Sequence, residues 1–313
     1  MFSPDILSGM VNRYEYEGVV WVDIENPTAE EINAVGEEFK MGPLLTRELL
    51  APTLKPRVDL YPESVYTLLH FPARRHTRGT RASQEVDFVI GKNFLITVHY
   101  DTVDALVDFA RSFEAAMLLK HSAGKFHSGN LLFELAQRLY QEVEYELDAI
   151  EDSIASIENS IFSGNEREMV MAISRVSREL VDQKRILSMH TDILASLEHA
   201  GVSLFGEHFA KYLQGVSAFH YRTHQRASAL FETVKELRST NDSLLTTKQN
   251  EITKNLSMMA FITFPLSLIA SLFGMNTNDT PIASSPYGFW IIIGLMIALT
   301  CVFFFYFKMK KWF

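Results

Sequence analysis

Asn255–Met275 reads NLSMMAFITFPLSLIASLFGM, and Tyr287–Phe307 reads YGFWIIIGLMIALTCVFFFYF. Between Asn255 and Phe307 the one charged residue is Asp279. The hydrocarbon core of a bilayer is crossed by about 20 apolar residues at 1.5 Å rise each. Buried core helices rarely go so long without charge, so the pattern predicts two membrane spans, 255–275 and 287–307, joined by a short loop, 276–286. At the head of that loop stands Gly274-Met275-Asn276.

The flanks set an orientation. Lys248 and Lys254 precede the first run, Lys308, Lys310 and Lys311 follow the second, and the loop holds no Lys or Arg. Because cytoplasmic flanks carry the excess of basic residues, both termini are expected in the cytoplasm, with 308–313 as a basic tail and 276–286 outside. The expected location is a cell's inner or plasma membrane, as a multi-pass protein. Tyr287, Trp290, Tyr306 and Trp312 fall at the run ends, where amphipathic rings favour the interface. Met1-Phe2-Ser3-Pro4-Asp5 has neither the basic stretch nor the apolar stretch of a signal peptide. A net charge of −9 argues against nucleic acid as a partner. The single cysteine, Cys301, excludes a disulfide framework or a cysteine metal site.

Outward from the spans, residues 1–124 read as a cytoplasmic α/β domain. Strands are expected at Val19–Ile24, Val65–Phe71, Glu85–Ile90 and Asn93–His99, with a turn at Gly91-Lys92 and a basic loop, Arg74–Arg81. Thr28, with Glu31 three residues on, is a capping box that starts a helix. Residues 125–200 read as an antiparallel helical hairpin, 131–162 and 166–199, broken at Phe162-Ser163-Gly164-Asn165, with a further break over 200–206. Residues 205–254 read as the cytoplasmic part of one long stalk helix that continues into the first span. Its seam, Leu213, Val216, Ala227, Leu230, Val234, Leu237 and Leu244, has heptad-like spacing and is expected to pack against copies of itself. The fold class is thus an α+β cytoplasmic domain followed by long helices and two transmembrane helices.

Along the stalk, steps of three and four residues pick out Ser239, Ser243, Thr246, Asn250, Thr253, Ser257, Ala260, Phe264, Ser267 and Ser271. Most are small, hydroxyl or amide, and none is charged. Polar positions on one face of a membrane helix face protein or water rather than lipid. Two readings fit: a close helix–helix interface, or a pore wall on an oligomer axis, since two spans cannot enclose a pore. As a pore, its neutral oxygens suit a cation that keeps its water, and magnesium dehydrates reluctantly. Leu256 and Phe264 would be apolar rings that gate by dewetting, or ordinary packing residues.

Two further patterns carry possible metal chemistry. His220 and His224 lie one helical turn apart, a spacing that can hold a transition metal, although no third ligand is evident. Glu142, Glu144, Glu146, Asp148, Glu151 and Asp152 crowd one helix, as a solvated face or as a weak regulatory magnesium site. No phosphate loop, nucleophile elbow or His-Glu-x-x-His is present, so neither enzyme activity nor a resident cofactor is expected.

Phe264-Pro265-Leu266, Phe273-Gly274-Met275-Asn276, Lys248-Gln249-Asn250-Glu251, Tyr306–Trp312 and Trp21-Val22-Asp23 with Pro27-Thr28 together resemble the CorA family of divalent-cation transport proteins, along the whole chain. The resemblance implies a funnel-shaped homopentamer whose pore is lined by the first membrane helix: Asn250, Thr253, Leu256, Ser257, Ala260, Phe264, Ser267 and Ser271. It implies a selectivity filter of Gly274, Met275 and Asn276, in which the Asn276 amide oxygen holds the hydrated ion and the Gly274 carbonyl assists. Asn250 would be the inner polar ring and Leu256 part of the hydrophobic constriction. Met275 resembles the magnesium members, where the zinc-transporting ZntB branch typically has Ile. The implied function is a channel or transporter admitting hydrated magnesium, with zinc, cobalt or nickel, proton-coupled or not, as the alternative. A membrane-tethered structural or sensor protein that conducts nothing is the alternative of a different class. Asp279 is the one carboxylate in the outer loop, where the magnesium members often carry Met-Pro-Glu. The acidic residues that family members use as magnesium sensors have no counterpart between His208 and Phe231, a stretch without Asp or Glu.

Overall fold

Valine-rich strands and a capped helix build the first layers, and the computed structural model describes them together with most of the chain: residues 10–53, 55–73, 83–119, 126–275 and 286–310. Six strands form one sheet in the order β1-β2-β6-β5-β4-β3: β1 (Met10–Tyr16), β2 (Val19–Glu25), β3 (Val58–Leu60), β4 (Ser64–Pro72), β5 (Ser83–Gly91) and β6 (Phe94–His99). All neighbours run antiparallel except β2 and β6, which are parallel, with Val22 opposite Ile96. The β5–β6 turn lies one residue later than the sequence suggested, at Lys92-Asn93.

Both sheet faces are covered, so the central strands read as apolar runs rather than alternations. On one face Val22, Ile24, Tyr66, Leu68, Val89, Ile96 and Val98 pack with Ile32 and Val35 of α1 (Ala29–Glu38) and Leu45 of α2 (Pro43–Glu48). The start of α1 is the expected capping box: Thr28 Oγ1 accepts from the Glu31 N–H at 3.3 Å, and the Thr28 N–H donates to Glu31 Oε2 at 2.9 Å. On the other face Trp21 meets Phe109 and Phe113 of α3 (Asp104–Leu119), and Phe71 meets Tyr140 of α4 (Ser128–Phe162) and His190 of α5 (Glu166–Phe205).

The chain divides into two compact units, residues 1–238 and 239–313, and α6 (Glu207–Gly274), 68 residues long, belongs to both. The second unit is completed by α7 (Gly288–Met309). Two expectations are corrected. The helix expected to end at His199 continues to Phe205, and only Gly206, at φ +88°, breaks it. Gly201 serves close packing instead: a Cβ there would lie 2.9 Å from both Leu213 and Phe209. The stalk seam does not wait for partner copies. Leu213, Val216, Ala227, Leu230, Val234 and Leu237 are all buried within this chain, and Leu244 is half-buried. The 35- and 40-residue helices α4 and α5 are long enough to cover it. The basic loop Arg74–Arg81 lies outside the described residues.

The sheet also buries acids. Asp87 (1% exposed) accepts hydrogen bonds from the hydroxyls of Tyr66 (2.8 Å) and Tyr100 (2.9 Å). Burial, reinforced by Glu85, pushes its carboxyl up to about 7. A carboxyl raised on folding keeps its proton while the unfolded chain ionises, so stability is full below its ordinary value near 4 and falls as pH climbs towards 7. Asp87→Asn, which cannot ionise, is therefore expected to stabilise the protein at pH 8 by an amount on the order of 1–4 kcal/mol and to be neutral near pH 4. Thermal unfolding at the two pH values checks this, and equal midpoints for both proteins at pH 8 would refute it.

Candidate functional site

Two helices, α6 and α7, are long and apolar enough to cross a membrane. At 100° per residue, the positions from Ser239 to Ser271 picked out by sequence spacing fall within an arc of about 120°. In the structure α6 is unbroken through this region, including at Pro265, so the arc is one continuous face. Asn250, Thr253, Ser267 and Ser271 are exposed, Ser257 and Ala260 half-buried. Phe264 lies in the arc, 73% exposed, and Leu256 lies beside its edge, 67% exposed.

A second stripe on the same helix is covered. Lys254, Ile262, Pro265, Ile269 and Phe273 are half-buried and Met258 is buried. Their arc is centred about 130° from the polar one at 100° per residue. The other described helix of this unit is α7, whose Phe307 is buried as Met258 is. Most of the polar arc, by contrast, is exposed.

The hydroxyls of the arc have a defined polarity. Thr253 Oγ1 donates to the Gln249 carbonyl at 2.9 Å, Thr246 Oγ1 to Asp242 at 2.9 Å and Ser243 Oγ to Ser239 at 2.9 Å. Each proton is spent on the helix's own backbone, a common habit of helical Ser and Thr. What these side chains offer outward is oxygen lone pairs. The first-shell waters of a cation point their hydrogens away from the ion, so an acceptor wall matches a hydrated cation and not a hydrated anion.

At the end of α6, Gly274 is exposed and has open space where a Cβ would stand, and Met275 is 55% exposed. Asn276 and Asp279 lie outside the described residues.

The histidine pair and the acidic helix acquire partners that sequence spacing did not reveal. His220 is buried and its Nε2 donates to the Leu187 carbonyl at 2.7 Å. Among the described residues no group of three or more His, Cys, Asp or Glu side chains is placed to hold a metal ion. On α4, Glu144, Asp148 and Glu151 converge on Arg226 of α6, at 2.9, 2.6 and 2.6 Å, and Thr223 Oγ1 donates to Glu144 at 2.5 Å. Hydrogen bonds that it donates to these carboxylates, to Glu144 first, push the Arg226 guanidinium up from its ordinary value. A run of acids on one helix gave no sign that a single arginine roughly 80 residues away gathers three of them.

A long uncharged polar face on a membrane-length helix, attached to a large α/β and helical domain, defines a two-span membrane protein of the transport class. The family profile described as CorA-like Mg2+ transporter protein matches residues 16–310, and this chain belongs to that family of divalent-metal-ion transporters. The cobalt/magnesium transport protein CorA of Thermotoga maritima is 23% identical over 296 residues, 93% of this chain and 83% of the relative. A solved structure, described as the complete structure of the CorA magnesium transporter from Methanocaldococcus jannaschii, has the same fold: TM-score 0.81 at 20% identity, covering 95% of this chain and 92% of that one. The zinc transport protein ZntB of Pectobacterium atrosepticum is 20% identical over 196 residues, 62% of this chain and 59% of the relative.

Arg226 and Glu144 are each about a third exposed, and Asp148 and Glu151 more than half. Solvent screening then limits the clamp to about 1 kcal/mol per good contact. Arg226→Ala is expected to lower the unfolding midpoint by a few degrees, and Arg226→Lys, which lacks the planar fork, by an intermediate amount. Calorimetry of the three proteins tests it, and a wild-type midpoint for the Ala variant would mean that the clamp contributes nothing.

Proposed function

We propose that this chain is a magnesium channel or channel-like transporter that passes hydrated divalent cations into the cytoplasm down their electrochemical gradient. The observation that carries this reading is the uncharged polar arc of α6, one continuous face along a membrane-length helix, with the Thr253 oxygen outward as an acceptor at its inner end. One chain leaves the arc uncovered, so the pathway runs along the axis of a homo-oligomer, a pentamer by resemblance to the family. Asn250 forms the inner polar ring, and Leu256 and Phe264 supply apolar constrictions. Thr253, Ser257, Ala260, Ser267 and Ser271 line the wall.

Gly274, Met275 and Asn276 form the outer filter, and Asp279 attracts cations to the mouth. Lys248, Lys254, Lys308 and Lys310 place both termini in the cytoplasm. No fuel-binding motif is needed. At −100 mV an entering divalent ion gains roughly 4.6 kcal/mol, from about 2.3 per charge.

A second reading is favoured by one observation, the relationship to a protein described as a zinc transporter. In that reading the cargo is zinc, cobalt or nickel, and an opposing or accompanying proton flux is allowed. Neutral oxygens hold magnesium's water shell without competing for its inner sphere, whereas zinc selects nitrogen and sulfur ligands that the arc lacks. The wall chemistry therefore favours magnesium.

The test is flux into liposomes for Mg2+, Co2+, Ni2+ and Zn2+, with and without a pH gradient. Mg2+ entry independent of the pH gradient is expected, and Asn276→Ala is expected to abolish it while the oligomer still assembles. Undiminished Mg2+ flux through that variant would overturn the filter assignment. Zn2+ entry that needs the pH gradient, without Mg2+ entry, would replace the first reading by the second. No flux of any ion through the wild-type protein would leave a tether or sensor.

A further inference from the structure

Away from the membrane helices, three imidazoles stack through the interface of α5 and α6. The rings of His190 and His220 are 5.7 Å apart, and those of His220 and His224 are 5.7 Å apart and nearly parallel at 28°. Tyr140 of α4 closes the stack, with its ring 5.8 Å from His190 and 6.1 Å from His220. His190 is completely buried and both its nitrogens are committed. Nε2 lies 2.8 Å from the His70 carbonyl, which can only accept, so Nε2 carries the proton. Nδ1 then accepts from the Tyr140 hydroxyl at 2.7 Å. His220 likewise donates from Nε2 to the Leu187 carbonyl at 2.7 Å, a bond that ties α6 directly to the backbone of α5.

The surroundings supply these rings with no anion. From α4, Tyr140 is neutral, and the Glu144 carboxylate is spent on Thr223 and Arg226. From β4, the His70 side chain is paired with Glu85 at 3.3 Å and contributes its carbonyl. From α5 come neutral Gln183 and Lys184, whose ammonium lies over the Phe231 ring at 4.6 Å. From α6 come His224 and Arg226. A positive charge on His220 would thus meet the neutral His190 ring and the His224 ring, with none of these groups offering it an unpaired carboxylate.

We propose that His220 is a proton-operated latch: neutral, with its bond to Leu187 and its stack on His190, it holds α6 against α5, and on protonation it lets this stretch of α6 go. The latch does not depend on what α6 conducts and would operate equally in a non-conducting protein. Burial lowers the His190 imidazole to about 3, so His190 stays neutral as the fixed half. Burial, aided by the His224 ring and opposed by the Leu187 bond, lowers His220 below its ordinary value near 6.5. A histidine lowered in the docked form binds its proton more tightly once released, so docking is strongest above pH 6.5 and weakens as pH falls. The docking equilibrium is expected to shift by at most about five-fold between pH 6.5 and 5.5 from this one group.

Distance measurements between nitroxides at positions 195 on α5 and 218 on α6 test it. They use full-length protein with Cys301→Ser, diluted with unlabelled chains so that only distances within one chain are read. Expected are one narrow distribution at pH 8, a second longer population at pH 5.5, and no such population in His220→Gln, whose amide keeps the donor to Leu187 but does not titrate. Identical wild-type distributions at the two pH values, or an undiminished response in His220→Gln, would overturn the proposal. A second variant, His224→Gln, removes the facing imidazole, and release is then expected only at lower pH. Release at unchanged pH in that variant counts against the latch.

Discussion

A bilayer interior holds no water, and that absence organises this molecule. Polar side chains at membrane depth must be met by protein or by a water-filled path, because lipid offers no hydrogen bond. The second unit contains two membrane-length helices, and Met258 is buried on the apolar stripe of the first. The arc from Asn250 to Ser271 is mostly exposed, with Ser257 and Ala260 half-buried. The unmet demand lies with the membrane part, not with the stalk seam, because that seam is already buried from Leu213 to Leu237. The case for assembly therefore moves from Leu213–Leu237 to the polar face of the first span.

Most of the architecture was legible where local chemistry repeats. Thr28 and Glu31 announced α1, the apolar runs announced the spans, and Val65–Phe71 announced β4. What escaped notice lacked periodicity or length. β1 has one face largely exposed, β3 has only three residues, and α2 starts at Pro43 and spans six. Gly201 read as a helix break because a glycine's freedom is visible in sequence, while the ring it must accommodate, Phe209, is a property of the fold. The seam as read from sequence passes from Val216 to Ala227 without His220 and Thr223, which are polar. Both are buried there, each with its hydrogen bond satisfied.

The functional face was legible for a related reason. A helix turns the periodicity of Ser, Thr and Asn into geometry without help from tertiary structure. The sense of its hydrogen bonds was not legible. Thr246 and Thr253 turn their protons onto backbone carbonyls, which leaves their oxygens outward as acceptors. The Arg226 clamp was invisible because its partners on α4 lie 75 to 82 residues away, and acids at helical spacing look the same whether they meet solvent or a guanidinium.

Two chemistries hold the same stretch of α6, and they respond to different conditions. On the α4 side, Arg226 is cationic at every physiological pH and its carboxylate contacts fade mainly with salt. On the α5 side, the contact depends on an imidazole that is neutral only while protons are scarce. Mild acid therefore acts on one side and salt on the other. Loss of the His220 bond alone leaves Arg226 engaged with Glu144, Asp148 and Glu151, so the helix would pivot on α4 rather than detach. Because α6 is covalently continuous from Glu207 to Gly274, such a pivot would begin on the helix that also bears the polar arc. A carboxylate in place of Tyr140 or His190 would neutralise the charged His220 and remove the proton response. The neutrality of the latch's surroundings matters as much as the histidine itself.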